Sequence, residues 1–351
     1  MSGRAGSPVA SGTGAALGPG AFAERLAALP LLVESHRVTL GAASVLGYTE
    51  GEERPTGFVT LEAGGHAGAG ECVAWTAQEQ ERFAEACPGL VPTGRTTIGA
   101  LHASLAGAHR YHAAAIEAAA IDLALRQAGS NPFLLAGRPA RPVGCCRSLG
   151  SGSIERAGGP AEAVAAALAA EPEARIKIDA GTDPWPETAW RALARTRRVV
   201  VVDFKRHGRT ADVAHAHACL PEAWIEDPPE EALDPAAPWR PRVALDGYVR
   251  KAADLSPPPV EPGAVNVKMA RMGGPVEALH ALEICARRGW SAYVGGMFEV
   301  GPGRLQSRVL ASLFTADAWN DVAPIDPGAR PASGPILLEA DFQGFAPPAG
   351  S

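Results

Sequence analysis

Ala174-Arg175-Ile176-Lys177-Ile178-Asp179 is a short apolar run with a lysine at its centre, and the runs that follow it repeat the pattern. They span Arg198 to Asp203, Ala223 to Glu226, Arg242 to Asp246 and Ala264 to Lys268, and each ends on a charge. Lys177, Asp203, Glu226, Asp246 and Lys268 are separated by gaps of 26, 23, 20 and 22 residues. A strand, a turn and a helix together take about that length, so the five side chains are expected on adjacent parallel strands, converging at the carboxyl-terminal mouth of a barrel. Asp and Asn also start turns and cap helices, so one strand-end charge means little. Five in phase, three acids flanked by two lysines, mean more.

The same texture continues outward. Pro142 to Ser148 precedes the series, Ser291 to Gly295 follows it, and an irregular eighth segment lies near Trp319 to Ala323. Helical stretches at Ala161 to Ala170, Pro186 to Thr196, Val213 to Leu220, Val276 to Arg288 and Arg304 to Thr315 alternate with them. The pattern predicts an α/β fold, a modified TIM (β/α) barrel over residues 139–325. A doubly wound open sheet is the alternative, but the Gly-rich nucleotide fingerprint it usually carries after its first strand is missing. Upstream, strand-like runs between Leu31 and Val73 and an Ala-rich helix over Ala113 to Leu125 predict an α+β capping domain at 28–138. Residues 1–27 read as a flexible tail, and 326–351 as a C-terminal segment packing back toward the cap.

At 351 residues, 46% hydrophobic and 20% charged, the chain has material for a large core. A net charge of −6 without a Lys/Arg block argues against a nucleic-acid groove or an anionic membrane surface. Six scattered cysteines without CxxC spacing argue against a disulfide framework or a zinc site. With no apolar run of signal or membrane-spanning type, the expectation is a cytoplasmic homo-oligomer acting on a small molecule.

Three carboxylates around one point repel one another unless a cation sits among them, and Mg²⁺ is the natural cation for an all-oxygen set. The metal gives the lysines a purpose. A hydrogen α to a carboxylate is a very weak acid, and an enediolate stabilised by a cation makes it removable. A lysine base must lower its pKa from about 10.4, and burial, the metal and the neighbouring Arg175 are expected to do this. The other readings are turn and cap chemistry for the acids, a solvated strand end for Lys177, a salt bridge for Lys268, a surface charge for Arg175 and loop bracing for Arg271 and Glu299.

These residues carry a family resemblance. Arg175-Ile176-Lys177 resembles the Lys-x-Lys strand of the enolase superfamily, and Asp203, Glu226-Asp227-Pro228 and Asp246 resemble its metal ligands. Val267 to Gly274 resembles its sixth-strand lysine motif. Gly295 to Arg304 is similar to the seventh-strand segment of the muconate-lactonizing subgroup, and Gly68-Ala69-Gly70-Glu71 with the Glu117 to Leu125 helix looks like its capping domain. The resemblance implies Lys177 and Lys268 as acid/base catalysts on opposite faces of a carboxylate substrate, with Asp203, Glu226 and Asp246 binding Mg²⁺. It implies proton abstraction α to the carboxylate, followed by racemisation or epimerisation, cycloisomerisation or β-elimination. Two positions depart from the pattern: Lys205 stands where the family usually has Asn, and Gly247 where it often has an acid. Lys205, on a continuing strand, is expected to pair with Asp203. A Schiff-base lyase using Lys268 and a non-catalytic binder with a degraded metal site are the rival functions. Leu46 to Thr56 is the expected lid, with Tyr48, Glu50, Glu52, Glu53 and Arg54 reading the distal end of the substrate.

Overall fold

The computed structural model describes residues 16–45, 53–181, 183–324, 336–338 and 340–347. Tyr48, Glu50, Glu52 and most of the expected lid lie outside the described residues. The first element among the described residues is helix α1 (Pro19–Ala27), which falls within the expected flexible tail. Phe22 and Leu26, one turn apart, are both buried, and the Gly20 N–H donates to Glu283 Oε2 at 3.0 Å. A single apolar stripe among small residues leaves little trace in composition, and its partner lies more than 250 residues away.

Strand β1 (Pro30–Val33) is followed by β2 (Ser35–Ala43), β3 (Arg54–Ala63) and β4 (His66–Cys72), the last three forming an antiparallel sheet in that order. Helix α2 (Ala77–Leu90) comes next, started by a Thr76–Glu79 capping box. The sheet was expected to be followed by helices alone. Instead β5 (Gly94–Thr97) pairs antiparallel with β1, and this four-residue segment without an apolar side chain is a strand only because β1 supplies its backbone partner. Helices α3 (Ile98–Ser104), α4 (Arg110–Gln127) and α5 (Pro132–Ala136) complete the cap. Helix α4 is buried on almost every side, which explains its alanines. A Cβ at Gly70 would fall 2.0 Å from Ala115 O and one at Gly68 2.3 Å from Leu123 N, so β4 lies backbone to backbone on α4 only through these glycines.

The barrel runs β6 (Cys146–Leu149), α6 (Ser151–Ala157), α7 (Pro160–Ala170), β7 (Arg175–Asp179), α8 (Glu187–Thr196), β8 (Val199–Asp203) and α9 (Thr210–Cys219). It continues with β9 (Trp224–Glu226), β10 (Val243–Leu245), β11 (Ala264–Val267), α10 (Met269–Met272), α11 (Pro275–Arg288), β12 (Ser291–Val294) and α12 (Pro302–Phe314). β6 to β12 form one parallel sheet in sequence order. Asn320 bridges to Cys145 and Asp321 to Gly295, so the irregular eighth segment closes the sheet between its two edges. After β9 and β10 the connections hold only 3-10 turns, which is why no helical pattern shows there. In the C-terminal segment, Asn131 Nδ2 donates to Ala340 O and Phe342 O, and the Phe345 N–H donates to Asp122 Oδ1. Residues 340–345 thus contact the cap, whereas Ile336 pairs antiparallel with Val143 at the start of the barrel.

Cap and barrel are joined by buried carboxylates. Glu71 accepts the N–H groups of Val300, Gly301 and Gly303 at 2.7, 2.9 and 3.2 Å. Glu117 accepts the Val276 N–H at 2.8 Å, and its other oxygen lies 2.5 Å from His102 Nδ1. The hydrogen bond to Glu117 raises the His102 pKa above its ordinary value despite burial. A raised histidine contributes stability in full below the free-histidine pKa of about 6.5 and loses it as pH rises through the folded value. Thermal unfolding should therefore show wild type losing Tm relative to His102→Gln between pH 6 and 9; parallel profiles would remove His102 from the interface energetics.

Candidate active site

The strand pairings place Asp179 opposite Asp203 and Asp203 opposite Glu226, so three acids stand in one row across β7, β8 and β9. Asp246 follows the end of β10, and Lys268 follows β11. Lys177 lies two residues before Asp179 and shares its face. The Lys177 ammonium is bracketed by Glu226 Oε1 at 2.6 Å, Asp203 Oδ2 at 3.1 Å and Asp321 Oδ2 at 3.4 Å. Lys268 Nζ lies 3.0 Å from Asp246 Oδ2, and Arg271 pairs with the other Asp246 oxygen. Lys177, Asp203, Glu226, Asp246 and Lys268 are thus brought together, all nearly fully buried.

Lys205 reaches Asp203 by a different route from the one expected. The strand stops at Asp203, and Lys205 and Arg206 both take left-handed backbone angles (φ 50° and 66°). From that turn Lys205 Nζ lies 2.7 Å from Asp203 Oδ2 and 3.0 Å from Asp179 Oδ1. Arg271, expected to support the ligands or contact substrate rather than to catalyse, pairs with Asp246 of the cluster. Glu299 accepts the Met297 N–H, and Arg304 lies beside it. Arg175 stacks over Trp319 with 5.1 Å to the ring centroid and donates to Arg197 O, away from the carboxylates. Arg54, expected on the lid, is fully buried and donates to Val73 O and Met297 O.

Several site residues escaped the sequence reading. Asp227, with φ 43°, accepts the Asp246 and Gly247 N–H groups at 2.7 and 2.6 Å and so aims the third carboxylate. Tyr293 OH donates to Glu226 Oε2 and Asn266 Nδ2 to Glu226 Oε1. Each of these two stands two residues before a strand end already singled out, so the strand period of two was the available signal. Asp321 lies in the irregular eighth segment, where no periodicity points inward.

Burial works against charge on Lys177, but Asp203, Glu226 and Asp321 hold its pKa well above the ordinary lysine value. In this arrangement Lys177 is held as an ammonium, while Arg175 is engaged with Trp319 and Arg197 O. Burial and then Asp203 push Glu226 up to about 8. Burial alone would raise Asp246, but Arg271 and Lys268 bring it well below the carboxylate range.

Among the described residues no three His, Cys, Asp or Glu side chains are grouped closely enough to hold a metal as they stand. The Lys177 ammonium lies against two of the three expected ligands, Asp203 and Glu226. The donor set fits Mg²⁺ in kind, being all carboxylate oxygen on adjacent strands, and its present cationic partners are Lys177, Lys205, Lys268 and Arg271. A cavity of about 350 Å³ opens over the cluster, with Lys177, Lys268, Lys205, Asp179, Asp321 and Phe298 in its lining.

Two family models match the chain: "Domain of unknown function (DUF8230) N-terminal domain" over residues 24–132 and "Domain of unknown function (DUF8230) C-terminal domain" over residues 152–326. The chain belongs to the DUF8230 family. No curated protein matches this DUF8230 chain in sequence. Among solved structures, a mandelate racemase/muconate lactonizing protein from Herpetosiphon aurantiacus superposes with TM-score 0.74 at 18% identity, over 91% of this chain and 99% of that one. A dipeptide epimerase from Methylococcus capsulatus, complexed with Mg and the dipeptide L-Arg-D-Lys, gives 0.69 at 20% over 90% and 99%. Muconate lactonizing enzyme from Pseudomonas putida gives 0.70 at 16% over 90% and 96%. At these identities the likeness is one of fold, a capped β/α barrel. No helix among the described residues is long and apolar enough to cross a membrane.

Proposed function

We propose that this protein removes the proton α to the carboxylate of a small-molecule acid, in a Mg²⁺-dependent reaction passing through an enediolate, as an isomerase or lyase. The observation that carries this reading is the placement of two lysines. β7 and β11 are the second and sixth strands of the barrel, and three strands separate them. Lys177 and Lys268 therefore enter one cavity from opposite walls. Opposed acid/base groups suit racemisation, epimerisation or cycloisomerisation, with β-elimination a further outcome. The Mg-bound dipeptide epimerase of the same fold supports the first two.

Asp203, Glu226 and Asp246 would hold Mg²⁺, whose charge stabilises the negative charge that develops on the substrate carboxylate. The chain's own residues do the rest. With Asp203 and Glu226 engaged elsewhere, Lys177 loses the attraction that keeps it charged, and its burial then favours the neutral amine a base requires. Lys268 on the opposite wall delivers or accepts the second proton. Asp227, Tyr293 and Asn266 keep the carboxylates aimed.

The test is exchange of the α-hydrogen in D₂O with Mg²⁺, followed by NMR over a panel including dipeptides and 2-substituted carboxylic acids. A true substrate exchanges, and each lysine variant loses exchange from one face only. Loss from both faces in both variants would point to one coupled pair of lysines, and no exchange by any panel member would favour a binder that does no chemistry.

A further inference from the structure

Lys205 lines the cavity at the barrel mouth, and the proposed reaction assigns it no task. Its ammonium caps Asp203 at 2.7 Å, its own N–H donates to Asp203 Oδ1 at 3.0 Å, and it retains a second partner in Asp179 at 3.0 Å. Unlike Lys177 and Lys268, its side chain is 50% exposed and lies on the rim of the cavity. The turn that carries it holds two consecutive non-glycine residues in the left-handed region, a conformation that persists where surrounding structure enforces it and that clusters at binding sites. The ammonium can thus leave Asp203 by rotation of its stem, stay at the rim beside Asp179, and meet an anion entering the cavity. Arg271 caps Asp246 in the same way but is only 16% exposed, so it lacks this freedom.

We propose that Lys205 couples the metal to the substrate carboxylate. Without ligands it occupies Asp203 and opposes metal binding. When a carboxylate enters the cavity, Lys205 transfers to it and leaves Asp203 with Lys177 as its one remaining ammonium partner, so metal and carboxylate bind weakly alone and tightly together. The coupling is reciprocal by thermodynamic necessity: whatever the carboxylate does for the metal, the metal does for the carboxylate. The inference rests on the assignment of Asp203 as a metal ligand.

Calorimetric titration of the full chain with Mg²⁺, in chloride and then in acetate at equal ionic strength, tests it. Wild type should bind Mg²⁺ more tightly in acetate by about 5- to 150-fold, the usual range of such couplings. Lys205→Met, which removes the charge without supplying a new metal ligand, should bind Mg²⁺ more tightly than wild type in chloride and show little further gain in acetate. Lys205→Arg should keep the coupling. Equal wild-type affinity in the two anions, or a Lys205→Met protein that keeps the acetate effect, overturns the coupling while leaving Mg²⁺ dependence intact. Absence of Mg²⁺ binding in wild type and Lys205→Met alike overturns both.

Discussion

Lys177→Ala and Lys268→Ala each lower turnover of a confirmed substrate by ~10²-fold or more, the usual cost of losing a general acid or base. The two variants differ in stability, however, and that difference carries information about the site. Lys177 is the shared partner of Asp203, Glu226 and Asp321 inside a nearly solvent-free cluster, so its removal leaves buried carboxylates uncompensated. Breaking a buried ion pair by deleting one partner costs ~3–5 kcal/mol. Lys268→Ala is milder, because Asp246 keeps Arg271. A barrel-mouth lysine on a solvated strand end would be expected to leave folding intact; the burial of Lys177 corrects that for one of the two. Mg²⁺ should restore much of the lost stability in Lys177→Ala, since a divalent cation neutralises the acids the ammonium no longer serves. Kinetics together with thermal unfolding, with and without Mg²⁺, check this. Wild-type rates in both variants would remove the lysines from the chemistry.

Glu71→Ala destabilises the protein by about 3 kcal/mol or more and loosens the segment from Gly295 to Gly303, because it strips the shared carboxyl acceptor from three backbone donors at once. Those donors belong to the loop that carries Phe298 to the cavity and leads into α12, so the variant should also lose substrate binding although Glu71 touches no substrate. The effect depends on pH. Burial and then Glu299 push the Glu71 pKa up to about 7, against the N–H donors and Arg54. A carboxyl raised in the folded state contributes most below its free value of about 4.3 and progressively less as pH rises through 7. The loss caused by Glu71→Ala should therefore be larger at pH 5 than at pH 8. Hydrogen exchange at residues 300–303 with denaturant melts at both pH values decides it. Unchanged protection would mean the loop is held by the barrel alone.

The amino-acid sequence by itself determined the barrel, the order of its strands and the convergence of Lys177, Asp203, Glu226, Asp246 and Lys268. Each depends on a local regularity, the length of a β/α unit and the alternation of faces along a strand, which needs no distant partner to be seen. The pairing of Lys205 with Asp203 was legible for a related reason, since two residues so close in sequence meet by strand or by turn. Tertiary structure alone decided the rest. β5 is a strand because β1 lies beside it, α1 is a helix because its stripe meets a helix from the other end of the chain, and Arg54 is buried because Met297 O waits for it. It also decided protonation. Whether Lys177 is amine or ammonium follows from how many carboxylates crowd one ammonium, and one of those three, Asp321, comes from a segment whose inward direction is set only by closure of the barrel.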